Sequence, residues 1–151
     1  MKRFSPALCA LFLSHAAMAA EPVPAGWSVV TDMRKTCQIA VPGDWQGTGS
    51  TRSPKASPKV TVTVHGLRPT QGFEEGKAFV RKAAPPIKIV QDDAKRLMYT
   101  MTPPAGSPGG SNGIYVVLNS TPVCTASFTF DPGADEALFK KIADTLQSAA
   151  K

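Results

Sequence analysis

Apolar and polar residues alternate along much of the chain, and the alternation marks out short β-strands. In Thr36-Cys37-Gln38-Ile39-Ala40-Val41-Pro42, Cys37, Ile39 and Val41 share one face. In Pro122-Val123-Cys124-Thr125-Ala126-Ser127-Phe128-Thr129-Phe130, Cys124, Ala126, Phe128 and Phe130 share a face, and Thr125, Ser127 and Thr129 turn the other way. Over residues 59–65, Val60, Val62 and Val64 oppose Thr61, Thr63 and His65, which predicts a half-buried strand. Residues 27–31, 87–91, 95–102 and 114–118 add four more strands. Leu97, Tyr99 and Met101 lie on one face of theirs. Pro42-Gly43-Asp44 stops the Cys37 strand directly before Trp45, which reads as a packing residue, with the floor of a ligand site as the alternative.

The period lengthens to that of a helix in two places. Residues 71–83 predict one, with Thr70 as N-cap, Glu74 and Glu75 in the first turns, and Phe73, Ala78 and Phe79 facing inward. Gly76 weakens it by up to about 1 kcal/mol relative to alanine, and Pro85-Pro86 ends it. Residues 134–150 predict the second helix. Leu138, Ile142, Thr145 and Leu146 follow its inner spacing with Phe139 beside them, and Asp135 and Glu136 open it.

The connections are rich in turn formers. Residues 46–58 hold glycine, serine, threonine, proline and lysine, and predict a surface loop with neither strand nor helix. Arg52, Lys55 and Lys59 make this region cationic and form a candidate anion-binding group. Asp92-Asp93 reads as a hairpin turn, with a metal-binding or acid/base pair as the alternative. Residues 103–112 look superficially like a phosphate-binding loop, but they lack the Gly-Lys-Ser/Thr step and a strand follows them.

The chain has 151 residues, which makes one domain the default. The net charge of +6 falls to +4 without Lys2 and Arg3, and the basic residues are scattered. A nucleic-acid binder calls for a basic stripe or a known motif, and neither is present.

Residues 1–19 carry the three parts of a secretory signal. Lys2 and Arg3 form the charged start, residues 7–13 the apolar run, and Ala17-Met18-Ala19 the cleavage site. The apolar run is too short for a transmembrane helix. The expectation is a periplasmic or secreted protein cleaved near Ala19, with residues 20–151 as a single α+β domain. Cys9 leaves with the signal, so Cys37 and Cys124 remain for an oxidising compartment. A disulfide between them would stabilise by roughly 4–5 kcal/mol in the chain-entropy model. Two buried thiols or a redox pair are the alternatives, and the chain has no C-x-x-C.

His65 is the one histidine left after cleavage, so any Ser-His-Asp or Cys-His chemistry depends on it alone. It lies on the polar side of its strand, where a surface histidine is the simpler reading. There is no G-x-S-x-G, and no zinc or haem spacing, so no cofactor or metal is expected.

The segment Ile39-Ala40-Val41-Pro42-Gly43-Asp44-Trp45 resembles the apolar strand, Pro, Gly, x, Trp opening of PsbP-like domains and the related DcrB-type exported proteins. Phe139-Lys140-Lys141-Ile142-Ala143-Asp144-Thr145-Leu146 is similar to their closing helix. The resemblance implies an α-β-α sandwich, an antiparallel sheet of about six to seven strands flanked by two helices. It also implies a mainly non-catalytic binding or assembly role, with an unknown protein partner. The leading expectation is therefore a periplasmic, non-enzymatic binding or accessory module in envelope maintenance or assembly. The alternatives are a small exported enzyme or enzyme inhibitor with a site near His65, and an anion or membrane-surface binder acting through Arg52, Lys55 and Lys59.

Overall fold

The structure, a computed structural model, describes residues 22–57, 59–67, 72–84, 86–104 and 110–149. The expected signal over residues 1–19 and the expected cap Thr70 lie outside them. Eleven elements follow in chain order: β1 (Trp27–Thr31), β2 (Cys37–Pro42), β3 (Thr51–Arg52), β4 (Thr61–Gly66), α1 (Phe73–Lys82), β5 (Ile87–Asp92), β6 (Arg96–Met101), β7 (Asn112–Leu118), β8 (Cys124–Phe130), α2 (Glu136–Asp144) and β9 (Gln147–Ser148).

All strand pairs are antiparallel, and the chain is α+β with two helices, as expected. The strands divide between two sheets. Six form a large sheet in the order β3-β4-β8-β7-β6-β5, and three form a small one in the order β1-β2-β9. The small sheet and α2 close over one face of the large sheet. Ile39, Val41, Val62, Val64, Ala126, Phe128, Phe130, Phe139 and Ile142 meet in the main core there. Phe139 of α2 stacks on Phe130 with ring centroids 4.6 Å apart. Trp45 is buried in the same cluster, in the packing role expected of it.

Cys37 of β2 and Cys124 of β8 are bonded to one another, with Cα atoms 5.6 Å apart, so the bond joins the two sheets. The backbones come close beside it. A Cβ on Gly66 would lie 2.5 Å from Thr36 Oγ1 and 3.3 Å from Cys37 Sγ, so only glycine fits at this crossing. Asp32 pins the preceding turn by accepting the N–H groups of Thr36 (2.6 Å) and Cys37 (2.8 Å). Burial pushes its carboxyl up, but the N–H groups of Cys37, Thr36 and Arg34 together hold it below the usual range.

Three expectations need correction. The stretch over residues 46–58 is not without strands. β3 pairs Thr51 with Thr63 and Arg52 with Val62, and Gln46 bridges Ser53. The free edge of β4 offers backbone groups that even a polar segment satisfies. The second helix is shorter than residues 134–150. Asp135 caps its start, accepting from Ala137 N and Leu138 N, and Thr145 ends it. The Thr145 hydroxyl donates to Ile142 O at 2.7 Å and accepts Ala40 N at 2.8 Å. The chain then runs extended as β9 along β2, because edge pairing satisfies backbone groups that a further helical turn would leave free.

The third correction is to the inner face of α1, which is Phe73, Lys77 and Val80; Ala78 and Phe79 point to solvent. Phe79 is 75% exposed. Phe73 faces inward as expected, and a lysine shares the inner face, where only apolar residues were expected. The helix begins after Gly72, which has no side chain to cap it. Among the described residues, no helix is long and apolar enough to cross a membrane.

Candidate functional site

Antiparallel register lines up one side chain from each strand across the outer face of the large sheet. One row runs Thr51, Thr63, Ser127, Tyr115, Tyr99, Ile89, from β3 to β5. The row beside it runs His65, Thr125, Val117, Leu97. The face thus grades from hydroxyls at the β4 side to aromatic and aliphatic groups toward β5. α1 covers the apolar part, seating Phe73 and Val80 against Leu97, with Val117, Tyr99 and Ile87 packed around them.

An ion-pair cluster fastens α1 to the β5–β6 hairpin. Lys77 Nζ lies 2.6 Å from Asp92 Oδ1 and donates to Asp93 O at 2.7 Å, while sitting 5.0 Å from the Phe73 ring centroid. Arg81 Nε meets Asp92 Oδ2 at 2.6 Å. The hydrogen bond from Arg81, then that from Lys77, holds the Asp92 carboxyl down at about 2 against the opposing effect of burial. Asp93 caps the hairpin by accepting Lys95 N and Arg96 N, each at 2.8 Å. The adjacent carboxylates therefore serve the turn and the helix. Among the described residues, no group of three His, Cys, Asp or Glu side chains can hold a metal ion.

Beyond the edge of α1 the outer face opens into a cleft of about 300 Å³. It is lined by the side chains of His65, Tyr99, Tyr115, Val117, Thr125 and Ser127, with Val116 and Ala126 at its floor. Tyr99 and Tyr115 stack with centroids 5.0 Å apart and planes 9° from parallel. On the other side of Tyr115 the next residue in the row is Ser127, whose side chain is too short to fill the space. Gly113 matters here as well. A Cβ at that position would come 2.9 Å from Tyr115 Cε2, so the ring lies where a side chain on residue 113 would stand. Burial pushes the Tyr99 phenol above its ordinary value, with Tyr115 adding to the shift, so Tyr99 stays a neutral donor.

The predicted site residues fall in different places. His65 is exposed at the rim of the cleft. Its backbone carbonyl accepts Thr125 Oγ1 at 3.3 Å, and among the described residues no side chain hydrogen-bonds the imidazole. Acyl-transfer chemistry needs a partner held against that ring. Arg52 folds back on its own segment, donating from Nη1 to Gly49 O at 3.0 Å and to Thr51 O at 2.7 Å. Lys55 and Lys59 are exposed. Tyr115, Thr125 and Ser127 were not singled out as a site by sequence reasoning. Their alternation marks a polar face, and only the cross-strand register brings Tyr115 opposite both Tyr99 and Ser127.

A wider hollow of about 410 Å³ lies at the other side of the molecule, lined by Pro22, Pro24, Trp27, Lys141, Asp144 and Thr145. Its carboxylate is already engaged, with Asp144 Oδ1 2.6 Å from Arg96 Nη1.

No protein-family model matches this chain, and no curated protein matches it. Its structure is similar to the solution structure of cyanobacterial PsbP (CyanoP) from Synechocystis sp. PCC 6803. The two share 9% sequence identity with a TM-score of 0.47, over 83% of this chain and 94% of that one. That neighbour is of the PsbP kind named by the sequence resemblance.

Proposed function

We propose that this chain is an exported, non-catalytic accessory module of the cell envelope that holds a partner against the outer face of its large sheet. The carrying observation is the cleft beside Tyr115, set on six paired strands and left open by α1. Export is supported by the three-part leader in the sequence and by the Cys37–Cys124 bond, which belongs to an oxidising compartment. A binding role is supported by a fully paired sheet that presents aromatic rings and hydroxyls, with no base held against a nucleophile among the described residues. The partner is another envelope component, and a protein is the first expectation.

The test is a photo-crosslinking amino acid at Ser127 in the full chain expressed in its native envelope. It captures a discrete component, whereas the same probe at Lys140, on the exposed side of α2, captures none. Equal labelling from both sites, or none from either, overturns the reading.

An anionic partner at Arg52, Lys55 and Lys59 is the competing reading. It is favoured by residues 46–59 containing no acidic residue. It requires salt-sensitive retention on acidic lipid vesicles, and loss of that retention in the triple alanine variant. No retention at low salt ends it.

A further inference from the structure

We propose that the cleft beside Tyr115 binds a neutral saccharide of one or two pyranose rings. This deepens the reading of the outer face as the binding face and rests on it. The lining of the cleft decides what it can hold. Two phenols, two aliphatic hydroxyls and an imidazole meet there, and none of the described lining residues is a lysine, arginine, aspartate or glutamate. A charged ligand would leave water without a counter-charge to meet it, which is costly. A purely apolar ligand would cover hydroxyls without replacing their hydrogen bonds, which is also costly.

A sugar satisfies both demands. Its C–H face lies on an aromatic ring, and its hydroxyls exchange water for side chains that both donate and accept. The geometry has a place for each part. One face of the Tyr115 ring is taken by Tyr99, and the next position in the row, Ser127, leaves room over the sheet on the other side. Thr125 and His65 stand in the neighbouring row, and the Tyr99 and Tyr115 phenols add two more polar groups. The volume of about 300 Å³ lies at the small end of ligand clefts, which run from about 300 to 1,000 Å³. That suits a ligand of one or two rings. The row continues through Thr63 and Thr51, whose hydroxyls lie 3.0 Å apart, so a longer glycan has a polar track to follow.

The experiment is an amide-resolved NMR titration of the full mature chain with three neutral probes, N,N′-diacetylchitobiose, cellobiose and maltose. Digalacturonate serves as the charged counterpart. At least one neutral probe shifts the amides of Tyr115, Thr125 and Ser127, and digalacturonate binds more weakly. Tyr115→Ala lowers the affinity at least tenfold. Tyr115→Leu, which keeps most of the bulk but no ring face, does the same and covers the case in which the alanine variant fails to fold. Lys140→Ala, on the exposed side of α2, leaves the affinity unchanged.

No shift with any neutral probe up to about 10 mM, a level weaker than specific recognition at a site of this size, overturns the proposal. Preference for digalacturonate overturns it equally. If the Ser127 crosslinker still captures a component while the sugars are silent, the saccharide inference falls and the binding-face reading stands. If both are silent, both fall.

Discussion

The two faces of the large sheet are built from the same six strands and do opposite things. The inner face presents Val62, Val64, Ala126, Phe128 and Phe130, and α2 closes on it through Phe139 and Ile142. The outer face presents Thr63, His65, Thr125, Ser127, Tyr115 and Tyr99, and α1 closes over only part of it, with help from a charge cluster. A strand alternates its side chains with period two, so each residue belongs to one face or the other. Stability can thus be concentrated on one side while the other stays open for contact. The comparison teaches that damage to the inner face should read as loss of fold, and damage to the outer face as loss of binding with the fold retained.

The hardest test of that division is Phe128→Ala against Tyr115→Ala. Phe128 is fully buried between β4, β7 and α2, so its truncation costs about 3–5 kcal/mol. Tyr115 is partly exposed, and its truncation costs under about 2 kcal/mol. Urea unfolding followed by circular dichroism measures both. Equal losses would break the comparison, because the outer face would then be a second core.

The disulfide belongs with the inner face and comes next in size. Replacing Cys37 and Cys124 together by alanine costs about 2–5 kcal/mol, with the midpoint in urea falling accordingly. Mass spectrometry of the non-reduced protein finds the two cysteine peptides linked. Two free thiols would remove the bond from the account of the fold.

The attachment of α1 sharpens the contrast, because charge as well as packing holds it. Asp92→Asn leaves the buried Lys77 ammonium with a neutral amide for a partner. Lys77→Met replaces it with an apolar side chain of similar reach. Removing one member of a buried pair is worse than replacing the charge by a good apolar fit, so Asp92→Asn lowers the thermal midpoint more than Lys77→Met at neutral pH. The folded-state pKa of Asp92 is depressed from 3.8 to about 2. Its contribution is therefore complete above about pH 4, declines as the unfolded chain takes up the proton first, and is gone below about pH 2. Protection of the Gly76 and Val80 amides, relative to their intrinsic exchange rates, falls as the pH drops through that window in the parent protein and changes less in Asp92→Asn. An unchanged acid profile in the variant would assign the helix to packing alone.

The strands were legible because alternation survives almost untouched in β2, β4 and β8, where the inner faces contain no polar residue. The outer cleft was not. Tyr99 and Tyr115 belong to different strands, and their meeting depends on a register that the Pro- and Gly-rich connection over residues 102–111 marks as a loop without spelling out. α1 misled for a chemical reason. Lys77 reads as a solvent residue, yet its stem packs on Phe73 while its ammonium finds Asp92 and the Asp93 carbonyl, both across a hairpin. Moving the inner stripe onto Phe73, Lys77 and Val80 left Phe79 outside. β3 was missed for the reverse reason: Thr51 and Arg52 have no apolar pattern, and the open edge of β4 organises them.

The smallest expected effect is also the cleanest check on how α1 sits. At 100° per residue, Phe79 lies about 120° around the helix from the buried stripe, on the flank opposite Arg81 and the Asp92 cluster. At 75% exposure it buries little that a charged residue would have to give up. Lysine is the better helix former, so Phe79→Lys changes stability by no more than about 0.5 kcal/mol while improving solubility. Phe73→Lys, in contrast, places a second ammonium against Leu97 and detaches the helix. A loss of more than about 1 kcal/mol in Phe79→Lys would mean that Phe79 packs against the sheet after all. The helix would then be turned by roughly a third of a revolution, and the flank of α1 beside the cleft would be a different surface.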